Sequence, residues 1–265
     1  MQRPLEISSL SKTFDTPTGP HTVVKDFNVK IQPGEFISLL GHSGCGKSTV
    51  LSIVAGLQQA TLGGVIIDGT EVNTPGLDRG VVFQSPCLLP WLSALDNVLL
   101  AARQAHPTLA AAAQREVALK YLNLVGVAEF ASSMPAELSQ GTQQRVAIAR
   151  ALSLEPRFLL FDEPFGMLDS MTRFELQDLV LELWEQDRKT VILVTHDIDE
   201  AIYLSDRIVL MTDGPEARVG LDLPISLPRP RDRRMASSNA DYFRLRAEVI
   251  RFLDHHSRQF NREAA

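Results

Sequence analysis

Short apolar runs alternate with segments of helical spacing along much of this 265-residue chain. One of the helical segments begins at Lys47, directly after a glycine-rich loop. Apolar runs of this kind are typical of parallel strands that helices cover on both faces. The pattern therefore predicts an α/β fold with a mostly parallel sheet. The predicted strands are Glu35–Leu40, Val65–Ile67, Val81–Phe83, Phe158–Phe161, Val191–Thr195 and Arg207–Met211.

The pattern changes between about Ser85 and Leu154, where segments such as LAAAAQREVALKYLNLV have helical spacing and no strand pattern. We interpret this region, about 85–155, as a helical subdomain inserted into the α/β core. From Pro224 the chain is rich in Pro and Arg, and a further helix is predicted from Asp241 to about Leu253. The predicted organisation is one domain at 1–225 followed by a short basic and helical tail at 226–265.

Composition and charge narrow the class of protein. Hydrophobic residues make up 45% of the chain and charged residues 22%, which favours a packed globular core over disorder. The net charge of −6 argues against nucleic acid as a partner. No apolar run is long enough to cross a bilayer, and the start MQRPLEISSL does not resemble a signal peptide. We expect a cytosolic chain, and the two cysteines, Cys45 and Cys87, have no spacing that suggests a metal or disulfide framework.

The segment GHSGCGKST matches the phosphate-loop pattern G-x-x-x-x-G-K-[ST], and it lies between a predicted strand and a predicted helix. Its glycines let the backbone turn so that successive N–H groups face phosphate oxygens, and the helix N-terminus favours the same anion. We expect Lys47 to reach the β- and γ-phosphates of a nucleotide and Ser48 to ligate magnesium. The predicted nucleotide-binding residues are Gly41, His42, Ser43, Gly44, Cys45, Gly46, Lys47, Ser48 and Thr49.

Polar side chains follow three other predicted strands. Asp162 and Glu163 end the strand FLLF, His196 follows TVILVT, and Gln84 follows GVVF. Taken singly, each is an ordinary polar loop residue. Together with a phosphate loop they fit one site, because ligands of parallel sheets bind beyond the carboxyl ends of the strands. We expect Asp162 and Gln84 to hold magnesium, Glu163 to orient or deprotonate the attacking water, and His196 to contact the γ-phosphate.

In combination these motifs resemble the ATP-binding subunits of ABC transporters over nearly the whole chain. The segment Leu138-Ser139-Gln140-Gly141, followed by TQQRVAIARAL, resembles the family signature and its helix. The resemblance implies the ABC type of P-loop fold, with an antiparallel β part beside the parallel core. It also implies that Ser139 and Gly141 complete the nucleotide site of a second ATPase subunit, so that two ATP molecules are held between two chains.

The same resemblance assigns further residues. Gln84 is similar to the Q-loop glutamine, Asp169 to the D-loop aspartate that crosses to the other subunit, and His196 to the switch histidine. Phe14, after the N-terminal strand that the resemblance implies, takes the place of the aromatic residue that stacks on adenine, although a Phe there fits a core position too. The chain departs from the common pattern at Gln140, Thr142 and Met167. We expect the activity to survive because Gly141 is retained.

The segment FQSPCLLPWLSALDNV resembles the nitrate, sulfonate and taurine branch of bacterial importers, and MTDGPEARVG and LPRPRDRR are most similar to nitrate-transport ATPases. This implies an ATPase that drives a membrane permease from the cytoplasmic face of the inner membrane, served indirectly by a solute-binding protein. Sulfonate, taurine, cyanate and bicarbonate remain alternative solutes, and a soluble ABC ATPase without a permease is the alternative role. The second ATPase subunit can be an identical or a different chain.

Two surface features carry open interpretations. The apolar cluster Pro90-Trp91-Leu92 either packs within the helical subdomain or receives a cytoplasmic helix of the permease. The basic run Arg229–Arg234 is interpreted as a solvated linker. Because Cys45 lies inside the phosphate loop, we predict that alkylation of its thiol blocks ATP binding.

Overall fold

The computed structural model describes residues 3–233 and 239–263, with the side chains of the last helix as far as His256. The chain divides into two compact units. Unit 1 comprises Met1–Pro75 and Thr190–Ala265, and unit 2 comprises Gly76–Lys189. The predicted insertion at about 85–155 lies wholly inside unit 2. None of the described helices is both long and apolar enough to span a lipid bilayer.

The parallel strands of unit 1 match the longest apolar runs. Strand β3 pairs in parallel with β8 and with β9, and β10 pairs antiparallel with β9. Every residue of β3 and β8 is buried, as their continuous apolar sequences require. Leu40 is in register with Thr195 on one side and with Leu210 on the other, so these three strands end at one edge. The bounds are β3 Phe36–Leu40, β8 Thr190–Thr195, β9 Arg207–Met211 and β10 Val219–Pro224.

A second sheet of unit 1 is antiparallel, with the order β2-β1-β4-β5. One prediction is corrected here: the run Val65–Ile67 belongs to β4, which pairs antiparallel with β1 and is not part of the parallel sheet. A short apolar run does not specify its pairing partner. This run follows two glycines in the same strand, and that strand pairs with β1. The bounds are β1 Leu5–Thr16, β2 Gly19–Ile31, β4 Leu62–Ile67 and β5 Thr70–Glu71.

Unit 2 combines a parallel strand pair with four helices. Strands β6 and β7 pair with Val82 opposite Phe161, so they also end together. Helix α4 contributes a buried apolar face to this unit, with Val146, Ile148 and Leu152 among its buried residues. The strands are β6 Arg79–Val82 and β7 Phe158–Asp162, and the helices are α2 Ala94–Ala105, α3 Ala111–Leu124, α4 Gln140–Leu152 and α5 Ser170–Asp187. Two 3-10 turns, Ala128–Phe130 and Pro135–Glu137, connect α3 to α4.

The described residues of unit 1 form helices α1 Lys47–Val54, α6 Ile198–Leu204 and α7 Ala240–Glu263. Helix α7 begins one residue before the predicted helix and continues well past its predicted end. Its residues Leu245 and Val249 are buried in one apolar cluster with Ala201 and Ile202 of α6. The tail therefore packs on the core of unit 1 through α6.

The basic segment before α7 is not a solvated linker, which corrects the interpretation made from the sequence. Arg231 Nη1 lies 3.0, 2.9 and 2.6 Å from the carbonyl oxygens of Ile202, Tyr203 and Ser205. Arg229 donates to Leu204 O and to the Asp206 carboxylate. These cations bind the carbonyl end of α6, where helix C-termini attract positive charge. Arg234 of the predicted run lies outside the described residues.

Candidate nucleotide site

The phosphate loop joins β3 to α1, as its sequence predicts. Gly44 and Gly46 have φ of 82° and 97°, a backbone conformation that favours glycine. A Cβ on Gly46 would lie 2.6 Å from Cγ2 of Val24, so the close packing also requires glycine there. The N-cap residue of α1 is Gly46, which has no side chain to cap the helix. The loop and the helix start together have the form of an anion site.

Lys47 is held over the loop that it follows. Its side chain is buried, and Nζ donates to the carbonyl oxygens of Gly41 at 2.8 Å and His42 at 2.9 Å. Both partners are neutral carbonyl groups, so these two hydrogen bonds do not neutralise the ammonium charge. A phosphate placed in the loop can therefore take up the charge of Lys47 directly. The arrangement fits a nucleoside triphosphate.

Cys45 packs beneath this loop. Its side chain is buried, and burial raises the pKa of the thiol above the ordinary value. A Cβ added to Gly41 would lie 2.9 Å from Cys45 Sγ, so little space surrounds the sulfur. The thiol is a packing group of the loop and not an activated nucleophile.

His196 lies at the same edge of unit 1 as the phosphate loop. It follows Thr195 of β8, and Thr195 is the register partner of Leu40, which precedes Gly41. The next residue, Asp197, caps α6 by accepting from the backbone N–H groups of Asp199 and Glu200. His196 is exposed between the strand end and this cap. The structure thus brings two of the predicted catalytic residues, Lys47 and His196, to one sheet edge.

The acidic part of the predicted site lies in unit 2. Gln84 and Glu163 follow β6 and β7, and Gln84 Nε2 lies 3.5 Å from Glu163 Oε2. Glu163 has a φ of 48°, which is unusual for a residue with a side chain, and its carbonyl accepts a hydrogen bond from Gly166 N at 3.1 Å. Such strained conformations are concentrated at functional sites. The turn holds the carboxylate beside Gln84.

Two further predicted residues cap neighbouring helices of unit 2. Ser139 caps α4, with its hydroxyl accepting from Thr142 N at 3.2 Å, and Asp169 caps α5 by accepting from Met171 N and Thr172 N. Hydrogen bonds from Thr172 hold the pKa of Asp169 below its usual value. A Cβ on Gly141 would lie 2.4 Å from Cγ2 of Thr172, so Gly141 allows α4 to approach α5 closely. The departures Gln140 and Met167 are both exposed.

Sequence reasoning missed two residues of α4 that hold the segment after Gln84. Gln144 is buried, and its Nε2 donates to the carbonyl of Phe83 at 3.0 Å. Arg150 donates to the carbonyls of Cys87 and Pro86 at 2.8 and 2.9 Å, and burial lowers the pKa of its guanidinium. The sequence signal that could have identified these two residues is their polar character on the apolar face of the segment QQRVAIARAL. The signature helix and the segment 83–87 are therefore fastened to each other.

Asn97, also missed, fixes the loop that carries Trp91. The Asn97 side chain is buried, donates to the carbonyls of Leu89, Leu92 and Ser93, and accepts from Leu89 N. Trp91 itself is 69% exposed, so it does not pack inside the helical region of unit 2. A rigid loop with an exposed Trp is a suitable contact for another protein.

Phe14, the predicted adenine contact, lies within β1 and not after it. It is in register with His21 of β2, so both side chains project to one face of the hairpin. Phe14 is 36% exposed, and His21 lines a cavity of about 420 Å³ together with the first half of the phosphate loop. Lys12 Nζ lies over the Phe14 ring, 4.9 Å from its centroid, so the ring is partly exposed and one face already has a cation partner.

The residues predicted to hold magnesium offer oxygen atoms only: the Ser48 hydroxyl, the Gln84 amide and the Asp162 carboxylate. Oxygen donors with few charges are the ligands that Mg²⁺ prefers, since it keeps several waters and binds substrate phosphates. The part of the chain that the structure describes contains no cluster of three or more His, Cys, Asp or Glu side chains suited to a metal. The donor types of these residues, taken singly, therefore fit the chemistry of Mg²⁺.

Comparisons with known proteins identify the family. The family described as ABC transporter matches residues 24–166. The nitrate import ATP-binding protein NrtD of Synechococcus elongatus is 50% identical over 249 residues, which cover 94% of this chain and 91% of that protein. The bicarbonate transport ATP-binding protein CmpD of the same organism is 47% identical over 249 residues, covering 94% of this chain and 90% of that protein.

A solved structure gives the same result for the fold. The dimeric ATP-binding cassette MJ0796 in a post-hydrolysis state, bound to ADP and Pi, superposes with a TM-score of 0.76 at 36% identity. The match covers 84% of this chain and all of that one. The predicted α/β fold of ABC type is confirmed, and so is the family resemblance. The chain therefore belongs to the ABC transporter family, as an ATP-binding subunit of the kind that hydrolyses ATP.

Proposed function

We propose that this chain is the energy-coupling ATPase of a bacterial nitrate importer. The observation that carries the proposal is the intact phosphate loop, with Lys47 held over it, in a chain that is 50% identical to a nitrate import ATP-binding protein over nearly its full length. ATP binding supplies the free energy, and its hydrolysis resets the transporter.

Each predicted residue then has a chemical role. Lys47 binds the β- and γ-phosphates, and Phe14 stacks on the adenine. Ser48, Gln84 and Asp162 would hold magnesium together with the phosphates, and the metal would supply positive charge that stabilises phosphoryl transfer. Glu163 orients or deprotonates the attacking water.

His196 provides a further hydrogen bond to the γ-phosphate. Its position beyond β8, beside the strand that leads into the phosphate loop, supports this role.

The working unit in this proposal is a pair of ATPase subunits. Ser139 and Gly141 at the start of α4 offer a second helix N-terminus to the nucleotide of the partner subunit, and Asp169 contacts the partner at the same boundary. The dimeric form of the MJ0796 cassette supports this arrangement. The pair can consist of identical or different chains.

The permease is the proposed membrane partner. The exposed Trp91, on a loop that Asn97 fixes from below, supports a contact with a cytoplasmic segment of the permease. In this proposal the chain is a peripheral subunit at the cytoplasmic face of the inner membrane, and a solute-binding protein is an indirect partner. Nucleic acid has no role in the proposal.

Solute uptake tests the proposal. Uptake of labelled nitrate, bicarbonate, cyanate and a sulfonate is measured in cells that lack the subunit, and in the same cells supplied with the intact chain or with Glu163→Gln. We expect nitrate uptake alone to depend on the intact chain. Loss of bicarbonate uptake would transfer the same mechanism to bicarbonate, which the CmpD relative favours. If no uptake changes, the chain serves as a soluble ABC ATPase instead.

A further inference from the structure

His42 and Asp213 are joined by a hydrogen bond at the phosphate loop. His42 is the second residue of the loop, and its Nδ1 lies 2.6 Å from Asp213 Oδ1. Asp213 follows β9, the parallel neighbour of β3, and the register partners Leu40 and Leu210 bring both segments to the same edge. The two residues are 171 positions apart in sequence. The pair therefore ties the loop to a second strand end.

The segment that carries Asp213 is itself anchored. The backbone N–H groups of Glu216 and Ala217 donate to the carbonyls of Thr22 and Val23 in β2, and Thr212 N donates to Arg218 O. Residues 213–215 line the same 420 Å³ cavity as the first half of the phosphate loop. Asp213 thus has a fixed backbone from which to hold His42.

The His42 backbone is held from the other side by Lys47. The His42 carbonyl accepts from Lys47 Nζ at 2.9 Å, while its imidazole is bound to Asp213. When the Lys47 ammonium binds the phosphates of a nucleotide, it no longer holds the His42 carbonyl. The bond to Asp213 does not depend on Lys47, so it can keep the first arm of the loop in place.

The low exposure of Asp213 distinguishes this pair from an ordinary surface ion pair. The His42 and Asp213 side chains are 42% and 16% exposed, whereas those of the Lys25–Glu216 pair on the same segment are 56% and 50% exposed. A largely buried carboxylate needs a hydrogen-bond donor, and a donor in such surroundings is worth more than one in water.

From this geometry we infer that Asp213 is a positioning residue for the phosphate loop. By accepting the hydrogen bond from His42, it holds the first arm of the loop in the conformation that binds the nucleotide phosphates. The inference rests on the proposed ATP site, and it adds a residue outside the loop motif. Asp213 acts through His42 and does not itself contact the nucleotide.

The test is a double-mutant cycle on ATP hydrolysis by the full chain. Asp213→Ala and His42→Ala should each raise the KM for ATP about tenfold and change kcat less than about twofold, as expected for the loss of a charge-assisted hydrogen bond. The double variant should be no worse than either single variant, because both remove one interaction. Asp213→Asn keeps an acceptor oxygen and should recover most of the affinity.

Matched measurements separate the possible outcomes. Glu216→Gln removes a carboxylate from the same segment and should leave KM unchanged, and thermal unfolding of each variant checks folding. The inference is overturned if Asp213→Ala leaves KM within twofold of wild type, if the two effects add, or if Asp213→Asn is as impaired as Asp213→Ala. Lys47→Ala tests the underlying site. If Lys47→Ala retains normal ATP affinity, the proposed nucleotide site is wrong. If Lys47→Ala loses affinity while Asp213→Ala behaves like wild type, only the inference about Asp213 is rejected.

Discussion

The Gln84 side-chain nitrogen lies 3.5 Å from a carboxylate oxygen of Glu163, at the point where the parallel strands β6 and β7 end. Glu163 reaches this position through a backbone conformation with φ of 48°. A predicted metal ligand and the predicted general base are therefore neighbours within unit 2. A shift in Gln84 can be transmitted directly to the carboxylate.

Glu163→Gln tests the role of this carboxylate. The amide has the same shape but cannot accept a proton, so we expect kcat to fall by roughly 10²- to 10⁴-fold while ATP binding is retained. Phosphate release and equilibrium ATP binding measure the two effects, and size-exclusion chromatography with ATP should detect a trapped dimer. Glu175→Gln, a change at an exposed carboxylate of α5, is the control. Unchanged turnover in Glu163→Gln would remove Glu163 from the mechanism.

Gly141→Ala separates packing from nucleotide contact in the signature segment. The added methyl would lie 2.4 Å from Cγ2 of Thr172, so we expect roughly 1–3 kcal/mol of destabilisation from overpacking. Thr172→Ser removes that methyl and keeps the hydroxyl.

In the double variant we expect thermal stability to recover, while kcat/KM stays at least about tenfold reduced because the backbone approach to the partner's nucleotide remains blocked. Full recovery of kcat/KM would show that Gly141 acts through helix packing alone. Thr172→Ser by itself is the control, and it should retain nearly full activity if its hydroxyl continues to bond to Asp169.

Local signals in the sequence account for the accurate predictions. Strands β3 and β8 are buried on both faces, so their continuous apolar runs identify them to within one residue. The phosphate loop is equally local, because its glycines, its lysine and the following helix are contiguous. The strand-end rule also predicts that Gln84 and Glu163 belong to one site at the edge of the sheet.

The features that the sequence did not predict depend on partners that are distant along the chain. The run Val65–Ile67 was assigned to the wrong sheet because its apolar pattern does not identify β1 as the pairing strand. The hydrogen bond between His42 and Asp213 joins residues 171 positions apart, and no local pattern indicates it. The roles of Ser139, Gly141 and Asp169 came from family resemblance, since a capped helix start alone does not indicate a second subunit.

Selective alkylation tests the environment of Cys45. Cys45 is buried and its thiol pKa is raised, whereas Cys87 is exposed. Because the thiolate is the reactive form, a raised pKa keeps Cys45 slow at neutral pH and moves its increase in rate to higher pH than for an ordinary cysteine. Mass spectrometry after brief iodoacetamide treatment should find the label on Cys87 first.

A Cys87→Ser variant isolates the functional consequence. Slow labelling of its remaining thiol should abolish ATP binding, since Gly41 leaves no room beside the sulfur, and bound ATP should protect it. Cys45→Ser under the same treatment controls for other sites. Full ATP binding after complete labelling of Cys45 would contradict the prediction.

Arg231 is expected to stabilise unit 1 by binding the C-terminal carbonyls of α6. One guanidinium nitrogen lies within 3.0 Å of three carbonyl oxygens there, and removal of the side chain leaves them without that donor. We expect Arg231→Ala to lower the free energy of unfolding by roughly 1–3 kcal/mol, the range for hydrogen bonds to a charged group. Arg244→Ala is the matched control, because Arg244 forms an exposed i,i+3 pair with Asp241, and it should cost less than about 0.5 kcal/mol. Urea unfolding of the three proteins measures the difference, and equal midpoints for the two variants would restore the interpretation of the basic segment as a solvated linker.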